Sequence, residues 1–193
     1  MNQVFAAALE VQQLFQERKW KFCLIGGLAV IRWGRRRATE DADFSLLTGI
    51  GDEREFLDII SDRFPEREPN EVDFAVAARV YSGFAPSGAP VDIGLAAFPY
   101  EAEVIGRAPP HTFRPGCTVM TCSAEDLIVM KAFAGREIDT FDLRYLMANH
   151  WLRLNWQQIE RDLRSLCDWT EKFDAVPRFE SLRAEVAEKL KRE

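Results

Sequence analysis

The chain has 193 residues, 47% of them apolar, with a formal net charge of −6. That length supports one good core, or a core with a small helical appendage, and that apolar fraction excludes a disordered chain. No apolar run reaches membrane-span length, and the acidic balance argues against a protein that grips long nucleic acid, since such proteins are basic as a rule.

In chain order, Val4 to Glu17 carries apolar residues at helical spacing: Val4, Ala7, Ala8, Val11, Leu14 and Phe15. It carries Glu10 and no basic leader, so it does not read as a signal peptide. Lys21 to Ile25 reads as a short buried strand, broken by Gly26-Gly27, and Leu28 to Trp33 as one or two helical turns. A basic run follows, with Arg32, Arg35, Arg36 and Arg37, and then a second strand opens at Asp41-Ala42-Asp43 and runs to Leu47. Glu53 to Phe64 is predicted as a helix, Pro65 to Asn70 as a polar loop, and Phe74 to Tyr81 as a strand. A Gly/Pro-rich hairpin from Ser82 to Pro90 leads into a strand from Val91 to Phe98.

From Ser123 the texture turns helical. Ser123-Ala124-Glu125-Asp126 resembles a capping box, and Gly135 ends the helix it starts. Ile138–Ala148, a segment capped by Asn155 and running to Cys167, and a last segment opened by Pro177 complete the set. The expectation is an α/β (α+β) fold: a mixed sheet flanked by helices over 1–120, then a helical bundle over 121–193. The cysteines (Cys23, Cys117, Cys122 and Cys167) form no CxxC pair and read as reduced, buried thiols, which predicts a cytoplasmic protein. With His111 and His150 as the sole histidines, a His-based zinc site is excluded as a working idea.

The chemistry concentrates between Phe22 and Leu47. In a strand, residues i and i+2 share a face, so Asp41 and Asp43 are expected to point the same way, ~7 Å apart along the backbone. Like charges that close are costly unless a cation lies between them, and hard oxygen donors suit Mg²⁺ (or Mn²⁺) and phosphate chemistry. A third acid is expected from a neighbouring strand. Asp92, in Val91-Asp92-Ile93, is preferred because an idle charge in an apolar run is expensive; Asp73, in Val72-Asp73-Phe74, is the competitor. Gly26 and Gly27 fit a tight turn or a phosphate cradle. No GxGxxG and no GxxxxGK[ST] is present, which removes a dinucleotide fold and a P-loop and weakens a kinase-like reading.

The segment Gly26-Gly27-Leu28-Ala29-Val30-Ile31-Arg32-Trp33-Gly34, with Arg37-Ala38-Thr39-Glu40-Asp41-Ala42-Asp43, resembles the signature of polymerase-β-like nucleotidyltransferases. More narrowly it resembles the AbiEii/AbiGii toxin-like branch, found in toxin–antitoxin and abortive-infection systems. Ser123 to Lys131, followed by Arg136, Asp139 and Asp142-Leu143, also resembles that branch, so the similarity covers roughly residues 20 to 147.

The resemblance implies a nucleotidyltransferase fold and a set of roles. Asp41, Asp43 and Asp92 would be catalytic and would hold metal. Gly26, Gly27, Arg37, Thr39 and Lys131 would bind nucleotide, with an ordinary surface lysine as the competing reading of Lys131. Asp139 and Asp142 are expected on the helix surface or in hydrogen bonds. The implied reaction moves NMP from NTP to an RNA end, such as that of tRNA, or to a protein hydroxyl. An antitoxin partner is implied, and no membrane. The alternative is a non-catalytic nucleotide-binding or regulatory partner protein that keeps the fold. One departure stands out: Gly26-Gly27 replaces the Gly-Ser of many relatives, leaving no hydroxyl there.

Overall fold

The computed structural model describes residues 2–192. The chain divides into two compact units, one made of the chain through Arg32 with Arg36–Cys122, the other of Trp33–Arg35 with the chain from Ser123. Among the described residues, no helix is long and apolar enough to cross a membrane.

The first unit is built on a four-stranded mixed sheet in the order β1-β2-β4-β3, with β1 at Phe22–Leu24, β2 at Ala42–Leu47, β3 at Val80–Phe84 and β4 at Pro90–Ala96. The β1–β2 and β3–β4 pairs are antiparallel, while β2 and β4 run parallel. Strand periodicity sorts the side chains. Ala42, Phe44 and Leu46 of β2 and Val91, Ile93 and Leu95 of β4 enter the core, so Asp43 and Asp92 stand on the opposite face.

Helix α1 (Asn2–Glu17) covers the core face: Phe15 is fully buried, edge-on to Phe44 and tilted against Phe22. Gln12 of α1 is also buried. Its amide donates to the Thr118 carbonyl at 2.8 Å and accepts from the Met120 N–H at 3.0 Å, satisfying a small hairpin of β5 (Pro110–Arg114) and β6 (Cys117–Met120). Helix α2 (Gly26–Arg32) follows β1, and its Arg32 donates to the carbonyls of Thr121 and Cys122, where the unit ends.

Between β2 and β3 lie α3 (Glu53–Arg63) and α4 (Glu71–Ala78), and after β4 comes α5 (Pro99–Arg107). The strand expected over 74–81 is therefore corrected. Residues through Ala78 are helical, Arg79 turns the chain at φ 59°, and β3 starts at Val80. Phe74 and Val76, within that stretch, are 62% and 40% exposed and build no core face. The strongly buried Tyr81 belongs to β3, and its hydroxyl donates to the Phe64 carbonyl.

The second unit is helical: α6 (Ala124–Ala134), α7 (Glu137–His150), α8 (Trp156–Thr170) and α9 (Ala175–Leu190). Ser123 caps α6 by accepting from the Asp126 N–H at 3.0 Å, and Gly135 closes it at φ 67°. Asn155 caps α8 through the Gln158 N–H at 3.1 Å. Residues 33–35 are strapped to α7: Tyr145 donates to the Gly34 carbonyl at 2.8 Å, and His150 meets the Trp33 carbonyl at 2.9 Å. All four cysteines are free and buried.

Candidate active site

The parallel β2–β4 register sets Asp43 directly beside Asp92. On the outer side of β4, Ser82 of β3 is the register partner of Asp92. Asp41 sits just before β2, and one carboxylate oxygen from each of Asp41, Asp43 and Asp92 lies within 4.8 Å of the others. All three acids are half-buried. Three anions in that space repel one another, and their hard oxygens match the donor set of Mg²⁺ or Mn²⁺, so the residues present fit a divalent cation. Asp73 is not among them. It lies on α4, where Arg54 takes it in an exposed ion pair.

Gly26 and Gly27 serve this geometry directly. Gly26 has φ 59°, and a β-carbon there would fall 1.9 Å from Asp43 Oδ2. The Gly27 N–H donates to the same Oδ2 at 3.1 Å, and the Ile25 N–H to the Asp43 carbonyl at 2.9 Å. The glycine turn is thus moulded around Asp43. A β-carbon on Gly27 would meet Thr39 Oγ1 at 2.2 Å and Arg37 Nη2 at 3.0 Å. Thr39 in turn donates to Asp41 Oδ1 at 2.9 Å. Gly26, Gly27, Arg37, Thr39, Asp41, Asp43 and Asp92 are accordingly brought together in the first unit.

Two neighbours of Asp92 carry no sequence signal. Arg67 Nη2 donates to Asp92 Oδ1 at 3.0 Å, and Ser82 Oγ to the same oxygen at 2.7 Å. Arg67 lies in what reads as a plain polar loop, and Ser82 in what reads as a hairpin, with no spacing that ties either to Asp92. The trace left in the sequence is Gly83: a β-carbon there would come within 2.9 Å of the Phe64 carbonyl and 3.0 Å of the Pro65 carbonyl.

Lys131 belongs to the second unit and is 5% exposed, which corrects the surface reading. Its Nζ lies 2.8 Å from Asp139 Oδ1 and 2.8 Å from Asp142 Oδ2. Asp139 and Asp142 are fully buried, so of the two expectations the hydrogen-bonding one holds and the helix-surface one does not. Arg136 grips Asp139 through Nε at 2.7 Å, and Arg35 pairs with Asp142. Burial pushes the Asp139 carboxyl up, but Arg136 and Lys131 outweigh it and hold it below the usual carboxylate range. The cause is helix packing: Asp139 and Asp142 share one side of α7 at i, i+3, and α6 brings Lys131 between them.

A family model described as "Nucleotidyl transferase AbiEii toxin, Type IV TA system" matches residues 13–193. No curated protein sequence matches the chain. Among solved structures, the solution structure of the antibiotic-resistance factor ANT(2'')-Ia is similar at TM-score 0.46 and 20% identity, covering 96% of this chain and 91% of that one. A crystal structure of ANT(2'')-Ia in complex with adenylyl-2''-tobramycin gives TM-score 0.43 and 20% identity, covering 96% and 97%. An antigenic nucleotidyltransferase-like protein from Paracoccidioides brasiliensis gives TM-score 0.48 and 15% identity, covering 91% and 92%.

Proposed function

The chain belongs to the AbiEii nucleotidyltransferase toxin family, and from that premise we propose that it is a metal-dependent enzyme that moves NMP from an NTP to an RNA end or a protein hydroxyl. The observation that carries the reading is the convergence of Asp41, Asp43 and Asp92, two of them side by side across a parallel strand pair. Asp41, Asp43 and Asp92 would hold Mg²⁺ or Mn²⁺, which supplies charge neutralisation at the triphosphate and polarises the α-phosphate.

The chain's own residues do the rest. Gly26 leaves room for the Asp43 carboxylate, and the Gly27 N–H fixes its Oδ2. Thr39 orients Asp41 through Oδ1. Arg37, beside Gly27, offers positive charge to phosphate oxygens, next to a backbone turn free of side chains. Asp92 is the acid that receives the acceptor hydroxyl's proton. The hydroxyl oxygen bonds to the α-phosphorus, the α–β bridging bond breaks, and pyrophosphate leaves. The family resemblance also assigns Lys131 to nucleotide binding; within the second unit its ammonium lies between Asp139 and Asp142. A toxin role, an antitoxin partner and a cytoplasmic setting belong to the same proposal and rest on the family.

The test is incubation with each α-labelled NTP, Mg²⁺, total RNA and cell lysate, comparing wild type with Asp43→Asn. Labelled RNA or protein should appear with wild type and fall at least a hundredfold with the variant. Equal labelling by both proteins refutes the assignment.

A further inference from the structure

We propose that Arg67 is a resident counter-cation of the acid cluster, a positioning residue that competes with a free divalent ion for Asp92 and so raises the ion concentration needed to load the site. The inference rests on the metal reading of Asp41, Asp43 and Asp92 and adds a residue that neither the DxD pattern nor the glycine turn points to.

The delivery of Arg67 is built into the sheet edge. The segment from Pro65 to Arg67 lies along the outer side of β3. The Phe84 N–H donates to the Pro65 carbonyl at 2.9 Å, the Arg67 N–H to the Ser82 carbonyl at 3.1 Å, and Glu66 bridges to Gly83. Gly83 permits this approach, because a β-carbon would press on the Phe64 and Pro65 carbonyls. The buried Tyr81 hydroxyl anchors the same stretch at Phe64. A side chain leaving Arg67 from that ledge reaches Asp92 across Ser82, with Phe84 beneath its guanidinium at 6.0 Å.

The pairing at Asp92 is one-armed. Nη2 makes the bond, while Nε is buried with no hydrogen-bond partner. A bidentate fork would hold far more firmly. Both side chains are also partly exposed, 31% and 26%, so solvent weakens the pair further. The guanidinium is therefore cheap to displace, yet it offsets one of three clustered charges while it stays. A divalent ion that approaches alone meets a positive charge already in place. An ion that arrives with a triphosphate brings surplus negative charge and meets no such penalty. The arrangement favours loading of ion and nucleotide together over loading of the ion alone.

The experiment is Mn²⁺ titration of the full chain without nucleotide, followed by electron paramagnetic resonance, at ~50 mM salt. The part of the binding lost in Asp43→Asn defines the site. Arg67→Met removes the charge, and Arg67→Gln repeats the test with a polar side chain. Each should bind Mn²⁺ about tenfold more tightly than wild type, or ~1.4 kcal/mol. Arg67→Lys keeps the charge and should stay within about threefold of wild type. In an Asp92→Asn background Arg67→Met should change nothing. A tighter site is not what a damaged fold produces, so the sign separates this role from a structural one. Unchanged or weaker binding in Arg67→Met and Arg67→Gln overturns the inference, while the loss in Asp43→Asn leaves the metal reading standing. Equal Mn²⁺ binding by wild type and Asp43→Asn overturns both.

Discussion

Replacing Lys131 by methionine removes one ammonium from between two fully buried carboxylates while keeping the length of the side chain. In wild type the ammonium lies 2.8 Å from each acid. Breaking a buried ion pair by removing one partner costs about 3–5 kcal/mol, because the remaining charge stays desolvated. Here each acid keeps a guanidinium, Arg136 on Asp139 and Arg35 on Asp142, so the lower end, ~3 kcal/mol, is expected. Urea unfolding of both proteins, followed by far-UV circular dichroism, measures it. The pH dependence gives a second handle. Asp139 is held below the usual carboxylate range in the folded protein. Its contribution is therefore fully present above the unfolded carboxylate value, roughly pH 4, and is lost as pH falls through the lower folded value. The gap between wild type and Lys131→Met should be full at pH 7 and shrink below about pH 4. A gap under ~1 kcal/mol at pH 7, or one that widens in acid, refutes the claim that this lysine is a buried structural cation.

Gly26→Ala places a β-carbon 1.9 Å from Asp43 Oδ2 at a residue with φ 59°. The backbone alone costs ~1–2 kcal/mol, and the carboxylate must move. Calorimetry should show a lower Tm, and Mn²⁺ binding should weaken at least tenfold; wild-type Mn²⁺ affinity contradicts the moulding of the turn around Asp43. Gly27→Ser puts its β-carbon 2.2 Å from Thr39 Oγ1. It should destabilise by about 1–3 kcal/mol through overpacking, and adding Thr39→Gly, which removes both Oγ1 and the β-carbon at 2.8 Å, should recover most of the packing loss. Failure of the double variant to recover would show that Thr39 is not what fills that space.

Much of the site was legible locally. Asp41 and Asp43 were readable as paired acids where β2 opens, although Asp41 itself lies just before the strand, and the glycine pair follows from the need to turn the chain tightly beside them. Asp92 was readable as an acid in an apolar run, where burial makes an idle charge expensive. The helices from Ser123 onward announced their own caps, because Ser123, Gly135 and Asn155 act within one turn of the residues they satisfy. The strand expected over 74–81 was placed too early: Phe74 and Val76 are exposed on α4, and the chain joins the sheet only from Val80. For Asp139 and Asp142 a surface place and a hydrogen-bonding role both stayed open, because the sequence does not show which side of α7 faces α6.

The sequence by itself determined the chemistry on offer: carboxylates at strand spacing, a side-chain-free turn, basic residues close by, and a helical second half. Those are consequences of bond geometry and short-range hydrogen bonding, which act over a few residues. Tertiary structure alone decided that Asp43 faces Asp92, that Arg67 lies against Asp92 from a ledge beside β3, and that Lys131 is buried between two acids. Each depends on register or packing between segments far apart in the chain, and a parallel strand pair joined through two helices and another strand leaves no local pattern from which its register could be read.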